Sequence, residues 1–185
     1  MTARVALTYR DYAALPDDGK RYEVHDGGLS VTPAPTPLHQ IVLLNLATVL
    51  DAYVKARNLG RIMVAPLDVI LSDRPGQTTI LQPDVLFLDR ERLGTISERA
   101  IEGPPTLAVE ILSPSTAVTD RTRKRELYAR YGVPYLWIVD ADTREVLAHV
   151  LDSGEYRLAA RVSGSQAVDL PPFVDLGLVP SSLWL

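Results

Sequence analysis

The sequence predicts an α/β protein of the mixed, α+β kind, with a central mixed β-sheet flanked by helices. Three observations predict it. Residues 85–88 and 107–112 are apolar runs of strand length without alternation, the pattern of central strands covered on both faces. Residues 37–57 and 119–131 carry apolar side chains at helical spacing. The order is helix, hairpin, long helix, several strands, helix, several strands, which is not regular strand–helix alternation. With 185 residues, 46% of them hydrophobic, the chain is expected to form one domain, 1–185, around a real core.

Each element has a local cause. Thr8 reads as an N-cap, with Asp11 three residues on and Tyr12 and Leu15 on the apolar side of a short helix. Pro16-Asp17-Asp18-Gly19 ends it. Residues 21–25 and 29–32 flank Asp26-Gly27-Gly28, a strong hairpin signal. Pro33, Pro35 and Pro37 space the hairpin from a long helix, capped by Thr36 with Pro37 in first position and running to about Arg57. Leu38, Ile41, Val42, Leu46, Val49, Leu50 and Tyr53 form its broad apolar face; Asn58 and Gly60 mark its end. Strand signal returns over 61–71, and 72–79 read as a turn or loop around Pro75-Gly76. Asp84 opens the next strand. Residues 89–102 are charged, contain Gly94 and read as a loop with one helical turn. Ser113-Pro114-Ser115-Thr116 breaks the 107–112 strand, and Gly132 and Pro134 stop the 119–131 helix. Residues 135–140 form a further apolar strand, and 145–151 and 156–162 a hairpin around Asp152-Ser153-Gly154. The Pro-rich tail, 170–185, packs on the domain edge through a few apolar anchors.

The formal net charge of −4 argues against a nonspecific nucleic-acid binder, whose affinity comes from neutralising phosphates; a local basic patch stays open. With no cysteine there is no disulfide framework, thiolate zinc site or cysteine nucleophile. Residues 1–11 lack a basic region followed by an apolar run, so no signal peptide is expected. No apolar stretch reaches about 18 residues, so no membrane span is expected, and a cytoplasmic location is the default.

Two carboxylates stand out. Asp84 opens one apolar strand, and Glu110 sits inside the other between Val109 and Ile111. A carboxylate there is costly unless it is paired or holds a cation. On neighbouring strands the two would suit a divalent metal, since hard cations take oxygen ligands. Asp120, Lys124, Leu127 and Tyr131 fall four, three and four apart on one helical face. Leu127 and Tyr131 belong to the core, which turns Lys124 inward toward Glu110. The competing reading is an exposed basic helix, because Arg121, Arg123, Arg125 and Arg130 crowd the segment. A metal between two carboxylates stabilises charge on a phosphodiester and lowers the pKa of a bound water, which a Lys can orient or deprotonate. A structural salt-bridge network fits the same spacing. Asp68 alternates with apolar neighbours and faces either the same cleft or solvent.

Arg21-Tyr22-Glu23 with Asp26-Gly27, His39-Gln40, Gln82-Pro83-Asp84, the run Val109-Glu110-Ile111-Leu112-Ser113-Pro114-Ser115-Thr116, Asp120 with Lys124 and Tyr128, and Gly132-Val133 with Tyr135-Leu136-Trp137-Ile138-Val139-Asp140 resemble the Uma-type restriction endonucleases, bacterial members of the PD-(D/E)XK nuclease superfamily. The resemblance spans about residues 9–162. It implies a restriction-endonuclease-like fold. It implies that Asp84 and Glu110 are ligands of Mg²⁺ or Mn²⁺. The superfamily usually places a Lys two residues after the second acid, where this chain has Leu112; Lys124, on the following helix, matches the place from which the resembled family supplies it. Glu23 matches an acid sent from an early helix or hairpin to the metal or its water; a hairpin ion pair with Arg21 or Lys20 is the alternative. His39 becomes a site-lining residue, ranked below the acids. Gln82 either bonds substrate or ends a loop, and Tyr128 either contacts substrate or belongs to the core. Family members often carry Glu after the Asp-Gly of the hairpin, where this chain has Gly28.

The combined expectation is a metal-dependent DNA endonuclease with Glu23, Asp84, Glu110 and Lys124 as catalytic set. The basic run at 121–125 would hold the DNA backbone, or be a solvated face. A nuclease-like module that binds a protein or nucleic acid without cutting is the alternative from another class, and a metal-dependent hydrolase of another phosphodiester a third. Homodimerisation is expected, because many nucleases pair to cut two strands.

Overall fold

The structure is a computed structural model and describes residues 6–113 and 119–184. Thr8 caps α1 (Tyr9–Ala13) in a capping box, in which the Asp11 carboxylate accepts from the Thr8 N–H at 2.9 Å. β1 (Arg21–His25) and β2 (Gly28–Thr32) pair antiparallel about Asp26-Gly27, whose φ values of 49° and 77° are left-handed, a region Asp and Gly tolerate. Gly27 is also packed tightly: a Cβ there would lie 2.6 Å from that of Ala6. α2 (Pro37–Ala56) starts at Thr36, whose hydroxyl accepts from the His39 N–H at 3.2 Å.

The expected 61–71 strand is two strands, β3 (Gly60–Val64) and β4 (Val69–Ser72), in different sheets. Pro66 lies between them and has no N–H to give a ladder. The 72–79 stretch ends in β5 (Thr79–Leu81), too short to carry a periodic signal. Then come β6 (Val85–Asp89), a 3₁₀ turn Arg90–Thr95, β7 (Ile101–Glu102) and β8 (Leu107–Leu112). A π turn, Asp120–Lys124, leads into α3 (Arg125–Arg130). β9 (Tyr135–Asp140), β10 (Glu145–Asp152) and β11 (Glu155–Val162) follow. The tail is itself a hairpin, β12 (Val168–Leu170) and β13 (Phe173–Leu178), with a closing 3₁₀ turn Pro180–Leu183.

One sheet runs β11-β10-β9-β8-β6-β3, parallel between β8 and β9 and antiparallel elsewhere. A second runs β2-β1-β5-β4-β7, parallel only between β4 and β7. On one face of the first sheet α2 sets Val42, Leu46, Leu50 and Val54, all fully buried, against Val85, Phe87, Leu107 and Val109. Each such side chain contributes about 1.5–3 kcal/mol. The tail closes this core: the Phe173 ring lies 5.1 Å from Phe87, 5.4 Å from Tyr53 and 5.9 Å from Trp137. The opposite face carries α3, through Leu127 and Tyr128, and the second sheet, through Val69 and Ile101. β6 and β8 are therefore covered on both sides, as their unbroken apolar runs predict. One expectation needs correcting. α2 is long and apolar enough to meet the length and composition of a membrane span. Its buried stripe is that of a core helix.

Candidate active site

Strand register brings the two acids together. β6 and β8 pair Val85 with Val109 and Leu86 with Ala108, and one step further sets Asp84 opposite Glu110. Asp84 Oδ2 accepts from the Ile111 N–H at 2.8 Å and lies 3.1 Å from His39 Nε2. Its Oδ1 accepts from Arg21 Nη1 at 2.8 Å. Glu110 Oε1 accepts from the Tyr128 hydroxyl at 2.6 Å, and its Oε2 from Lys124 Nζ at 3.1 Å. Lys124 Nζ is also 3.1 Å from Glu23 Oε1. Glu23 in turn accepts from the Gln82 N–H at 2.8 Å and lies 3.3 Å from His25 Nε2. The Lys thus bridges an acid of each sheet. Glu23, Asp84, Glu110 and Lys124 are each 4% exposed or less, so each charge depends on its neighbours. A cleft of about 130 Å³ opens on Asp84, Glu110 and Lys124, lined also by Arg21, His39 and Ser113.

The helical-face argument holds for Lys124 and Leu127, and in part for Tyr131, which packs against the same core cluster as Leu127 but from its margin. Tyr131 is half-buried, with its hydroxyl 3.3 Å from the Gln77 carbonyl, while Tyr128 is fully buried. Of the hairpin pairs considered for Glu23, Lys20 pairs instead with Asp18 at 2.6 Å, while Arg21 Nη2 lies 4.0 Å from Glu23, a long ion pair beside the shorter one to Lys124. The Gln82 amide donates to Asp68 at 2.7 Å, and Asp68 accepts from the Tyr12 hydroxyl at 2.6 Å. Asp68 therefore sits in a supporting network behind Glu23. The basic run is largely engaged within the molecule. Arg123 and Arg130 meet on Asp26 Oδ2 at 2.5 and 2.7 Å, and Arg125 donates to the Tyr156 carbonyl at 2.7 Å. Pro114, Ser115 and Thr116 lie outside the described residues, as do the side chains of Asp120 and Arg121.

A family model described as Uma2, "Putative restriction endonuclease", matches residues 9–182. The chain belongs to the Uma2 family. Among solved structures it is similar to the crystal structure of a "putative nuclease belonging to DUF820" from Anabaena variabilis ATCC 29413. The TM-score is 0.76 over 96% of this chain and 97% of that one, at 21% identity. That likeness is one of fold, and it bears out the restriction-endonuclease-like architecture expected from the sequence. No curated protein matches the chain.

In this Uma2 chain the cluster's electrostatics follow from its pairing. Burial alone would raise the Asp84 carboxyl, but the His39 hydrogen bond and the Arg21 charge hold it down, from 3.8 to about 2. Burial likewise opposes ionisation of Glu23; Lys124, the His25 hydrogen bond and Arg21 outweigh it and bring the carboxyl from 4.5 to about 2. Arg21 is driven further up, because Asp84, Glu23 and Glu110 outweigh its desolvation.

Whether a metal fits is a question of donors. Among the described residues no group of three or more His, Asp or Glu side chains is arranged to enclose an ion. Asp84 and Glu110 alone suit Mg²⁺, which keeps several waters and takes one or two carboxylates. Among the acids and bases of the cluster, three carboxylates against Arg21 and Lys124 leave one negative charge, and a divalent ion would reverse it. The donor set therefore fits, provided Arg21 yields at Asp84. Sequence reasoning missed Arg21 as a site residue. The signal was available: Arg21 and Glu23 are two apart on one strand, so a face that turns one into the site turns both.

Proposed function

We propose that the protein is a metal-dependent DNA endonuclease that hydrolyses phosphodiester bonds. The observation that carries this reading is the position of Lys124, 3.1 Å from both Glu110 and Glu23 on the strand pair that opposes Asp84 to Glu110. A buried ammonium held by two acids beside a third is more than a helix needs for packing. Asp84 and Glu110 would hold Mg²⁺ or Mn²⁺, with Glu23 supporting from the second sheet. When bound, the ion supplies Lewis-acid stabilisation of phosphate charge and acidifies water. Lys124 orients the attacking water or offsets charge on the phosphate. Tyr128 fixes the Glu110 carboxylate through Oε1, and His39 and the Ile111 N–H fix that of Asp84. The family description and the neighbour's title both speak of nucleases, which supports nuclease chemistry in general.

The test is cleavage of supercoiled plasmid and single-stranded DNA with Mg²⁺ or Mn²⁺, with Glu110→Gln purified in parallel. Cleavage that disappears in the variant and with chelator is the expected result. Undiminished cleavage by Glu110→Gln would sink the mechanism. A second reading, a binding module that does not cut, is favoured by one contact: Asp84 Oδ1 already has a cation on it. A divalent ion that raises the Tm of the wild type but not of Glu110→Gln would speak against it.

A further inference from the structure

We propose that Arg21 is the resident cation of this site: it positions Asp84 while no metal is bound, and it must release Oδ1 for a divalent ion to take its place. The inference rests on the metal-dependent reading above. The two oxygens of Asp84 are unequally committed. Oδ2 is held by the Ile111 N–H at 2.8 Å and His39 Nε2 at 3.1 Å. Those groups belong to β8 and to the first turn of α2, both fixed by regular structure. Oδ1 meets Arg21 Nη1 at 2.8 Å. It is the oxygen available to an ion, and a guanidinium stands in front of it.

That guanidinium is held by charge more than by geometry. A structural arginine usually grips a carboxylate with two parallel bonds. Here Nε and Nη2 are buried without a hydrogen bond, and Nη2 is 4.0 Å from Glu23 Oε1, beyond bonding distance. Two unmet donors make the held state costly. There is also room to leave it. Arg21 lines the cleft at the acids and a neighbouring opening of about 340 Å³ beside Asp17, Lys20 and Pro35. A divalent ion on Oδ1 and a guanidinium within 3 Å of the same atom repel strongly. The ion's affinity is therefore net of displacing Arg21.

The test is Mn²⁺ binding to the full chain by calorimetry, with thermal unfolding with and without Mn²⁺, for the wild type, Arg21→Gln and Arg21→Lys. Loss of the competing charge is expected to tighten Mn²⁺ binding by about tenfold or more in Arg21→Gln. The same variant should gain more in Tm from Mn²⁺ than the wild type does. Arg21→Lys keeps the charge and should return the affinity toward the wild-type value. A merely structural arginine predicts the reverse, since loosening Asp84 would weaken the ion. Binding by Arg21→Gln no tighter than the wild type, or by Arg21→Lys as tight as Arg21→Gln, overturns the proposal and leaves the metal reading standing. If no version binds Mn²⁺, the metal reading fails and the proposal falls with it. Should Arg21→Gln be unfolded without metal, the proposal expects Mn²⁺ to fold it; a chain that stays unfolded in Mn²⁺ overturns it.

Discussion

At the scale of the residue, the buried acids tie stability to pH. Glu23 and Asp84 have folded-state carboxyls at about 2, below their ordinary 4.5 and 3.8. A depressed carboxyl stabilises the fold fully above its unfolded value and loses that contribution as pH falls through the folded one. The Tm should therefore hold above about pH 4.5 and fall steeply toward pH 2, which thermal melts across that range would check. On the proposed function, Lys124→Met should abolish cleavage. It should also cost about 3–5 kcal/mol in urea denaturation, because Glu23 and Glu110 stay buried without their shared cation. Asp84, Glu110 and Lys124 were legible in the sequence because each breaks a local rule, a charge placed on an apolar strand or on a core-facing helical position. Arg21 and His25 broke no rule. Both lie in a polar hairpin, and Arg21 finds Asp84 only through a contact 63 residues distant.

At the scale of the element, Gly60 is the least replaceable position. Its φ is 154°, and a Cβ there would sit 1.9 Å from the Leu88 carbonyl oxygen, a backbone atom that cannot move aside. Gly60→Ala should cost at least about 3 kcal/mol by chemical denaturation, since β3 must shift off β6. Asp26 gives a milder case. It gathers Arg123 and Arg130 onto the β1–β2 turn, but these side chains are partly exposed, so Asp26→Ala should cost only about 1 kcal/mol. The elements that could be read from sequence are those with their own signals: the Thr36-Pro37 start of α2, the Asp26-Gly27 turn, the apolar runs of β6 and β8. The division of 61–71 into β3 and β4 was not readable. Both halves are apolar, and only sheet pairing sends them to different partners.

At the scale of the whole molecule, the tail is part of the core rather than an edge ornament. Phe173 joins Phe87, Tyr53 and Trp137 from three other elements, and Trp137 donates to the Pro171 carbonyl at 2.7 Å. Phe173→Ala should cost about 3–5 kcal/mol in a denaturant titration, on the scale of a central core residue. The layered sheet was legible because α2 and the central strands each carry a clear period. The docking of the tail was not, since a few apolar side chains among prolines do not say which face they meet. The charge cluster spans the same distances. Glu23 comes from one sheet, Asp84 and Glu110 from the other, and Lys124 from the turn that follows. A chain emerging from the ribosome presents the three acids first and their bridging ammonium last. Until residue 124 is made the acids lack that partner, so on the proposed function a half-made or partly unfolded chain would have no assembled centre and no means of damaging the nucleic acid around it.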